Sequence, residues 1–315
     1  MEPDTKTLID MLCTRRPAWS KSERRFIRKY ISPLDMYVDD FGNLSKRIGR
    51  APVLWSCHTD TVHRKGGHQQ IKISVGKGGA NIASLHDNTD SNCLGADDTA
   101  GIWIMREMIL ARVPGLYVFH RAEEIGGLGS DYIAKETPNA LCGIQYAIAL
   151  DRRGTDSVIT HQGYGRCCSQ EFARELAGGI GHKFYPDNTG IFTDTANYVD
   201  IVPECTNLSV GYDNEHTARE TLNLDHLFRL RMALLKLDVT AMPVERDPKA
   251  REEPDESDWD RWYGTGEEAN APLSQQAIAI IKRNPEHAAE LLRAYGLDDS
   301  DIIDEMIGIG AMLPH

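Results

Sequence analysis

Two adjacent carboxylates, Glu123 and Glu124, follow the apolar run GLYVFHRA and precede the glycine pair of EEIGGLGS. Neighbouring side chains on an extended chain point opposite ways, so such a pair is either solvated loop charge or two carboxylates with two separate tasks. Other groups of the same kind occur along the chain. VLWSCHTD sets His58 and Asp60 two residues apart, on one side of an extended segment, where the carboxylate can hold the imidazole in the tautomer a metal needs. CLGADDTAG places Asp97 and Asp98 in a glycine-flanked turn before a helical pattern, YAIALDRRG ends an apolar run in Asp151, and SVGYDNEHTARE carries His216 beyond another. Taken singly, each is an ordinary helix cap or a satisfied polar residue.

Taken together they describe a site. Five side chains able to ligate a metal, His58, Asp97, Glu124, Asp151 and His216, fall at or just after the ends of strand-like runs. Two imidazoles and three carboxylates sum to three negative charges, and a bridging hydroxide adds a fourth, which two divalent cations neutralise. A single zinc would leave carboxylates in excess. Glu123, pointing away from Glu124, is then free to act as general base on an activated water, a task that needs proximity but not coordination.

The elements that must position these residues are readable from periodicity. Helices are expected over residues 4–13 and 22–31, the second capped by Ser20 or Ser22, and a hairpin over DMYVDDFGNLSKRI turns at Gly42 and Asn43. The runs APVLWSC, GLYVFH, QYAIAL, SVITHQG and TNLSVGY read as strands, with helices near 98–111, 168–177, 193–200 and 221–240. Continuous apolar strands between helices predict a mixed, mostly parallel α/β sheet sandwiched by helices, with ligands beyond the strand ends. Between Asp60 and Asp97 a Gly- and His-rich stretch with QIKISV and NIASL as short strands reads as a small β excursion.

The charge is uneven. The net charge is -12, and residues 245–315 hold 17 acidic against 7 basic residues, so the body is close to neutral. An acidic tail with no basic stripe elsewhere argues against a nucleic-acid partner. Residues 1–244 are expected to form the hydrolase domain, 245–272 an acidic linker, and 273–315 a small helical extension available to a protein partner or to self-association. Scattered amino-terminal charge and the lack of any long apolar run argue against a signal peptide or a membrane span, and seven cysteines without CxxC pairing fit reduced thiols in a cytoplasmic protein.

The order HTD, GADD, EE, D and H, with LGADDTAG, EEIGGLGS and SVGYDNEHT, resembles the di-zinc exopeptidases of clan MH, which include peptidase T, bacterial aminopeptidases and carboxypeptidase G-like deacylases. The likeness spans about residues 35–240. It implies a zinc-dependent exopeptidase fold and two divalent cations, most often zinc, with cobalt or manganese as alternatives. Asp97 would bridge them, His58 would pair with the Asp151-type ligand, and His216 with the Glu124-type one. Asp60 would orient His58, Glu123 would be the base, and the Asp97–Asp98 peptide would be cis. An Asp at position 151 fits the aminopeptidase-like members. The 64 residues between Asp151 and His216 leave no room for the inserted lid domain of many relatives.

The resulting expectation is hydrolysis of a peptide or amide bond, with an N-acyl amino acid deacylase or carboxypeptidase-type amidohydrolase using the same centre as the alternative. From another class comes a non-catalytic binding protein on the same fold. Asp194 is expected either to receive a substrate ammonium or to cap a helix, and His63, His68, His86, His120, His161, His182 and His226 are expected to lie outside the site.

Overall fold

The runs Val53–His58, Gly115–His120 and Glu204–Ser209 are buried along their whole length, as β-branched and aromatic residues without alternation require of strands covered on both faces. In this computed structural model residues 3–162, 165–181 and 183–250 are described. Residues Met1–Glu252 make up one compact unit. The acidic linker beyond residue 250 and the helical extension expected at 273–315 lie outside the described residues.

In chain order the principal elements are α1 (Thr5–Leu12), α2 (Lys21–Tyr30), β1 (Tyr37–Val38), β2 (Leu44–Ile48), β3 (Val53–His58), β4 (Ile71–Val75), β5 (Asn81–Leu85), α3 (Ala96–Leu110), β6 (Gly115–His120) and α4 (Leu128–Glu136). Then follow β7 (Tyr146–Arg152), β8 (Ser157–Ile159), α5 (Gln170–Ile180), β9 (Tyr185–Asp187), β10 (Glu204–Ser209), β11 (Tyr212–Asp213), β12 (Thr221–Asn223) and α6 (Leu224–Leu234). The main sheet has eight strands in the order β9-β8-β10-β7-β3-β6-β2-β1. Its four central strands, β10, β7, β3 and β6, are mutually parallel, while β8 against β10, and β2 against both β6 and β1, run antiparallel. This is the mixed α/β sandwich expected.

Alternation along the strands feeds two cores. Val53, Trp55, Cys57, Tyr117 and Phe119 pack with α1, α2, α3, α5 and α6 on one face. Leu54, Leu116, Val118 and Ala147 pack with Ile133 of α4 and with Tyr198 and Val202 on the other. The hairpin turns where expected: Asp39 accepts the backbone N–H groups of Gly42 and Asn43 at 2.8 Å each, and Gly42 adopts φ +104. Ser20 caps α2 by accepting the Glu23 N–H at 3.0 Å.

Several expectations need correction. The two strands of the β excursion are present as β4 and β5, and they join β12 and β11 in a separate four-stranded sheet, so Thr221–Asn223 is strand and the expected helix over 221–240 is α6, Leu224–Leu234. The helix near 193–200 is a short 3-10 segment, Asp194–Tyr198. The SVITHQG run is strand in the main sheet only as Ser157–Ile159, and His161–Gln162 turns into a small ladder with Gly165–Arg166. Helix α4 and strand β9 were not expected. The glycines of GGLGS hide α4, because Gly127 in a left-handed conformation is its N-cap.

Candidate metal centre

The strand order itself creates the crevice. From β3 the chain passes through α3 to β6 on one side, then through α4 to β7 on the other, so the carboxyl end of β3 sits at a topological switch point. His58 is the last residue of β3, Asp151 lies near the end of β7, and Glu123 and Glu124 follow the end of β6. His216 follows β11, just beyond β10, and Asp97 is in the first turn of α3. All five expected ligand residues meet at this edge.

They meet as two groups that share Asp97. His58 Nε2 is 3.0 Å from Asp97 Oδ1 and 3.5 Å from Asp151 Oδ1. His216 Nε2 is 3.1 Å from Asp97 Oδ2 and 3.0 Å from Glu124 Oε2. Within each group the ligand atoms all lie within 4.8 Å of one another. Ligands about 2.0–2.1 Å from a tetrahedral zinc stand roughly 3.3 Å apart, so each group has the right aperture. The donor set also fits: Asp97 offers one oxygen to each group, and Glu124 Oε1 is buried without a hydrogen-bond partner. Three carboxylates gathered on two imidazoles are a donor set of the kind that could hold divalent cations.

The surroundings hold each ligand in place. Asp60 Oδ1 lies 3.6 Å from His58 Nδ1, and its two oxygens accept the backbone N–H groups of Glu123 and Glu124 at 3.2 Å each. Thr193 Oγ1 donates to Asp151 Oδ2 at 2.7 Å and the Tyr212 hydroxyl to Oδ1 at 3.0 Å. Asn207 takes the Asp151 N–H at 2.9 Å and donates to its carbonyl at 2.7 Å. The turn carrying the two glutamates is closed by Gly126 and Gly127, whose N–H groups donate to the Glu123 carbonyl at 2.9 and 2.8 Å. Both glycines have positive φ, +108 and +63, which a side chain would resist. Behind this turn the Arg121 guanidinium is clamped by the fully buried Glu23, at 2.6 and 2.9 Å.

Electrostatics follow from burial and from crowding of like charge. Burial raises the Glu123 carboxyl well above its usual range; His58 opposes this, and Asp151, Asp194 and Glu124 add to it. Asp151 is lifted to about 7 by burial and by Asp97, against His58 and Thr193. Burial also works against the charge of Asp97, but hydrogen bonds with His216 and His58 outweigh it and hold its pKa low. His216, bonded to Asp97 and Glu124, rises to about 11. The two imidazoles differ in access: the His58 side chain is 1% exposed and that of His216 50%, its backbone left-handed at φ +63. The Asp97–Asp98 peptide is cis.

Other titratable residues have structural partners. His63 accepts from Thr61 Oγ1 at 2.6 Å and directs Nε2 to Gln69 Oε1 and the Cys93 carbonyl at 3.0 Å each. His226 Nε2 reaches the Ser209 carbonyl at 3.1 Å. His120 stands between Tyr198 Oη at 2.6 Å and Asp194 Oδ2 at 3.2 Å. Asp194 makes no capping bond, so the helix-cap alternative fails for it. His68 is exposed, and His182 lies outside the described residues.

Glu220 was missed. Its carboxylate is buried and accepts the N–H groups of Leu94, Gly95 and Asp97 at 2.8, 2.9 and 3.0 Å. Burial, with Asp97 nearby, raises it to about 7 against the pull of those amides. Thr193 and Asn207 were missed as well. The only local signal for Glu220 is a glutamate four residues beyond a candidate ligand histidine.

No family model matches this chain, and no curated protein matches it. Among solved structures, the fold is similar to that of the aminopeptidase PepT from Bacillus cereus ATCC 10987, at 16% identity and a TM-score of 0.59 over 75% of this chain and 96% of that one. It is similar also to a tripeptidase from Staphylococcus aureus subsp. aureus Mu50, at 14% identity and a TM-score of 0.56, again over 75% and 96%. A third is the Pyrococcus horikoshii TET1 peptidase, which can assemble into a tetrahedron or a large octahedral shell, at 18% identity and a TM-score of 0.52 over 72% and 98%. At such identities the likeness is one of fold.

Proposed function

We propose that this chain is a metal-dependent hydrolase of peptide or amide bonds, an aminopeptidase, with Glu123 as its general base. The observation that carries the reading is the pair of ligand groups joined through Asp97, with a half-buried Glu123 one residue from Glu124. The aminopeptidase and tripeptidase with similar folds support a peptide as substrate. Each group would hold one divalent cation, zinc first, with cobalt or manganese able to replace it: His58, Asp97 and Asp151 one, His216, Asp97 and Glu124 the other.

Cations bound there supply Lewis acidity, polarising the scissile carbonyl and easing deprotonation of water. The chain's own residues do the rest. The Asp60 carboxylate, 3.6 Å from His58 Nδ1, favours the tautomer with the proton on Nδ1, so that Nε2 presents a lone pair. Through the N–H groups of Glu123 and Glu124 the same carboxylate fixes the turn from which one glutamate ligates and the other faces the reaction. Glu123 accepts the proton of the attacking water and returns it to the leaving amine; burial raises its pKa, which strengthens it as a base. Thr193 donates to Asp151 Oδ2 and Tyr212 to Oδ1, the oxygen on the His58 side, so the carboxylate is held at both oxygens while Oδ1 keeps a lone pair for a cation.

The deciding experiment loads the purified chain with zinc, cobalt or manganese, counts bound metal, and assays unblocked aminoacyl amides and dipeptides beside N-acyl amino acids. Two equivalents of metal and turnover of the unblocked substrates are expected. Turnover of N-acyl amino acids alone would establish the deacylase instead, and two bound equivalents with no turnover of either class would leave a binding protein. In the same reading residues 1–244 are the hydrolase, without an inserted lid, and the acidic extension serves association.

A further inference from the structure

We propose that Glu220 is the positioning residue for the His216 side of the centre; the proposal rests on the cation reading above. Asp97 lies in a non-helical turn that leads into helix α3, and the helix proper is capped by Asp98, whose Oδ1 accepts the Gly101 N–H at 2.8 Å. The turn before it, from Leu94 to Asp97, passes through Gly95, which has to be glycine: its φ is +70, and a Cβ would stand 2.7 Å from Cε1 of His63. The buried N–H groups of this turn find their acceptor far along the chain. Glu220 Oε2 takes the N–H groups of Leu94 and Gly95, and Oε1 takes that of Asp97, from more than 120 residues away in the chain.

The location of Glu220 gives this contact a second consequence. It lies four residues after His216, at the end of a loop whose internal bonds run from Thr217 Oγ1 to the Asn214 carbonyl at 2.8 Å and from the Glu220 N–H to the Thr217 carbonyl at 3.0 Å. One carboxylate, 1% exposed, thus ties the backbone of Asp97 to the loop of His216. These are two of the three ligand residues of the outer group. His216, half exposed and in a left-handed conformation, has little packing of its own to fix it, whereas His58 and Asp151 are held by buried strands and by Asp60, Thr193 and Tyr212. Losing Glu220 leaves three N–H groups unpaired and lets the Asp97 turn and the His216 loop move apart. The outer group loses registry at both Asp97 and His216, while the inner one loses it at Asp97 alone and retains His58 and Asp151.

The test compares the full chain with Glu220→Gln, Glu220→Asp and His216→Ala. Zinc affinity and stoichiometry are read by competition with a chromophoric chelator, and amide exchange at residues 94–97 is read in the cation-free protein. His216→Ala identifies which of the two affinities belongs to the outer group. Glu220→Gln, isosteric but short of one acceptor, is expected to keep its circular dichroism, weaken that affinity by roughly 10–100-fold, weaken the other by a smaller factor, and speed exchange at Leu94, Gly95 and Asp97. Glu220→Asp keeps the charge and recovers part of the loss. Unchanged affinities, equal loss of both, or loss of the fold in Glu220→Gln would each overturn the role given to Glu220. A parent chain that takes up no zinc overturns the cation reading itself, a result separate from a parent that takes up two zinc ions and a variant that matches it.

Discussion

Asp60 Oδ1 stands 3.6 Å from His58 Nδ1, and the same carboxylate receives the backbone N–H groups of Glu123 and Glu124. One buried side chain therefore lies against the His58 imidazole and holds the turn of Glu123 and Glu124. Asp60→Ala is expected to lower zinc affinity by about 10–100-fold, the usual cost of removing an orienting partner behind a ligand histidine. Asp60→Asn, whose amide oxygen still accepts a hydrogen bond but which lacks the charge, should fall between. Competition titration against a chelator measures both, and an unaltered affinity in the alanine variant would show that the contact orients nothing.

Glu123→Gln separates binding from chemistry. The variant should keep both cations, because no ligand atom is lost, while kcat falls by about 10²–10⁴-fold, the typical contribution of a general base. Metal counting and steady-state assays on one preparation suffice. A fully active variant with its cations in place rules Glu123 out as the base.

Cation uptake should release protons. With only protein groups around it His216 titrates at about 11, so at neutral pH it is protonated and hydrogen-bonded to Asp97 and Glu124. A cation has to displace that proton, so apparent affinity at the outer group rises with pH up to about 11, by up to about a factor of ten per unit for each proton released. Calorimetric titration with zinc in two buffers of different ionisation enthalpy counts the protons. Equal apparent enthalpies in the two buffers would mean that none is released.

His63 makes a separable prediction about acid stability. Burial first, and the Arg16 charge next, depress its pKa from 6.5 to about 4. Between those values the unfolded chain binds the proton and the folded chain does not, so stability rises with pH there. The contribution is complete above about 6.5, decreases as the pH falls, and reaches its limit near 4. The shift corresponds to roughly 3 kcal/mol. His63→Gln, which can still pair with Thr61 and the Cys93 carbonyl, should flatten the dependence of the urea midpoint on pH across that window. An identical slope in both proteins would assign the acid sensitivity to other groups.

The parts of this fold that were legible share a local cause. β3, β6 and β7 are continuous apolar runs that end in a chemically distinct residue, so both strand and ligand stand out. What was not legible depends on partners far along the chain. Thr221–Asn223 has helical neighbours and is strand because β5 offers it a ladder. α4 follows two glycines that suggest a loop, yet they make the turn that starts it. Glu220 meets amides more than 120 residues earlier in the chain, and no spacing within its own segment could announce that.

The unequal exposure of the two imidazoles has a kinetic consequence. A cation held by His58, Asp97 and Asp151 would be enclosed by side chains that are nearly all buried, whereas one held through His216 has solvent on one flank. The two should exchange at different rates, the outer within an assay and the inner over a preparation. Brief dialysis would then give a half-loaded protein, and a second metal species added afterwards would report on the outer position alone.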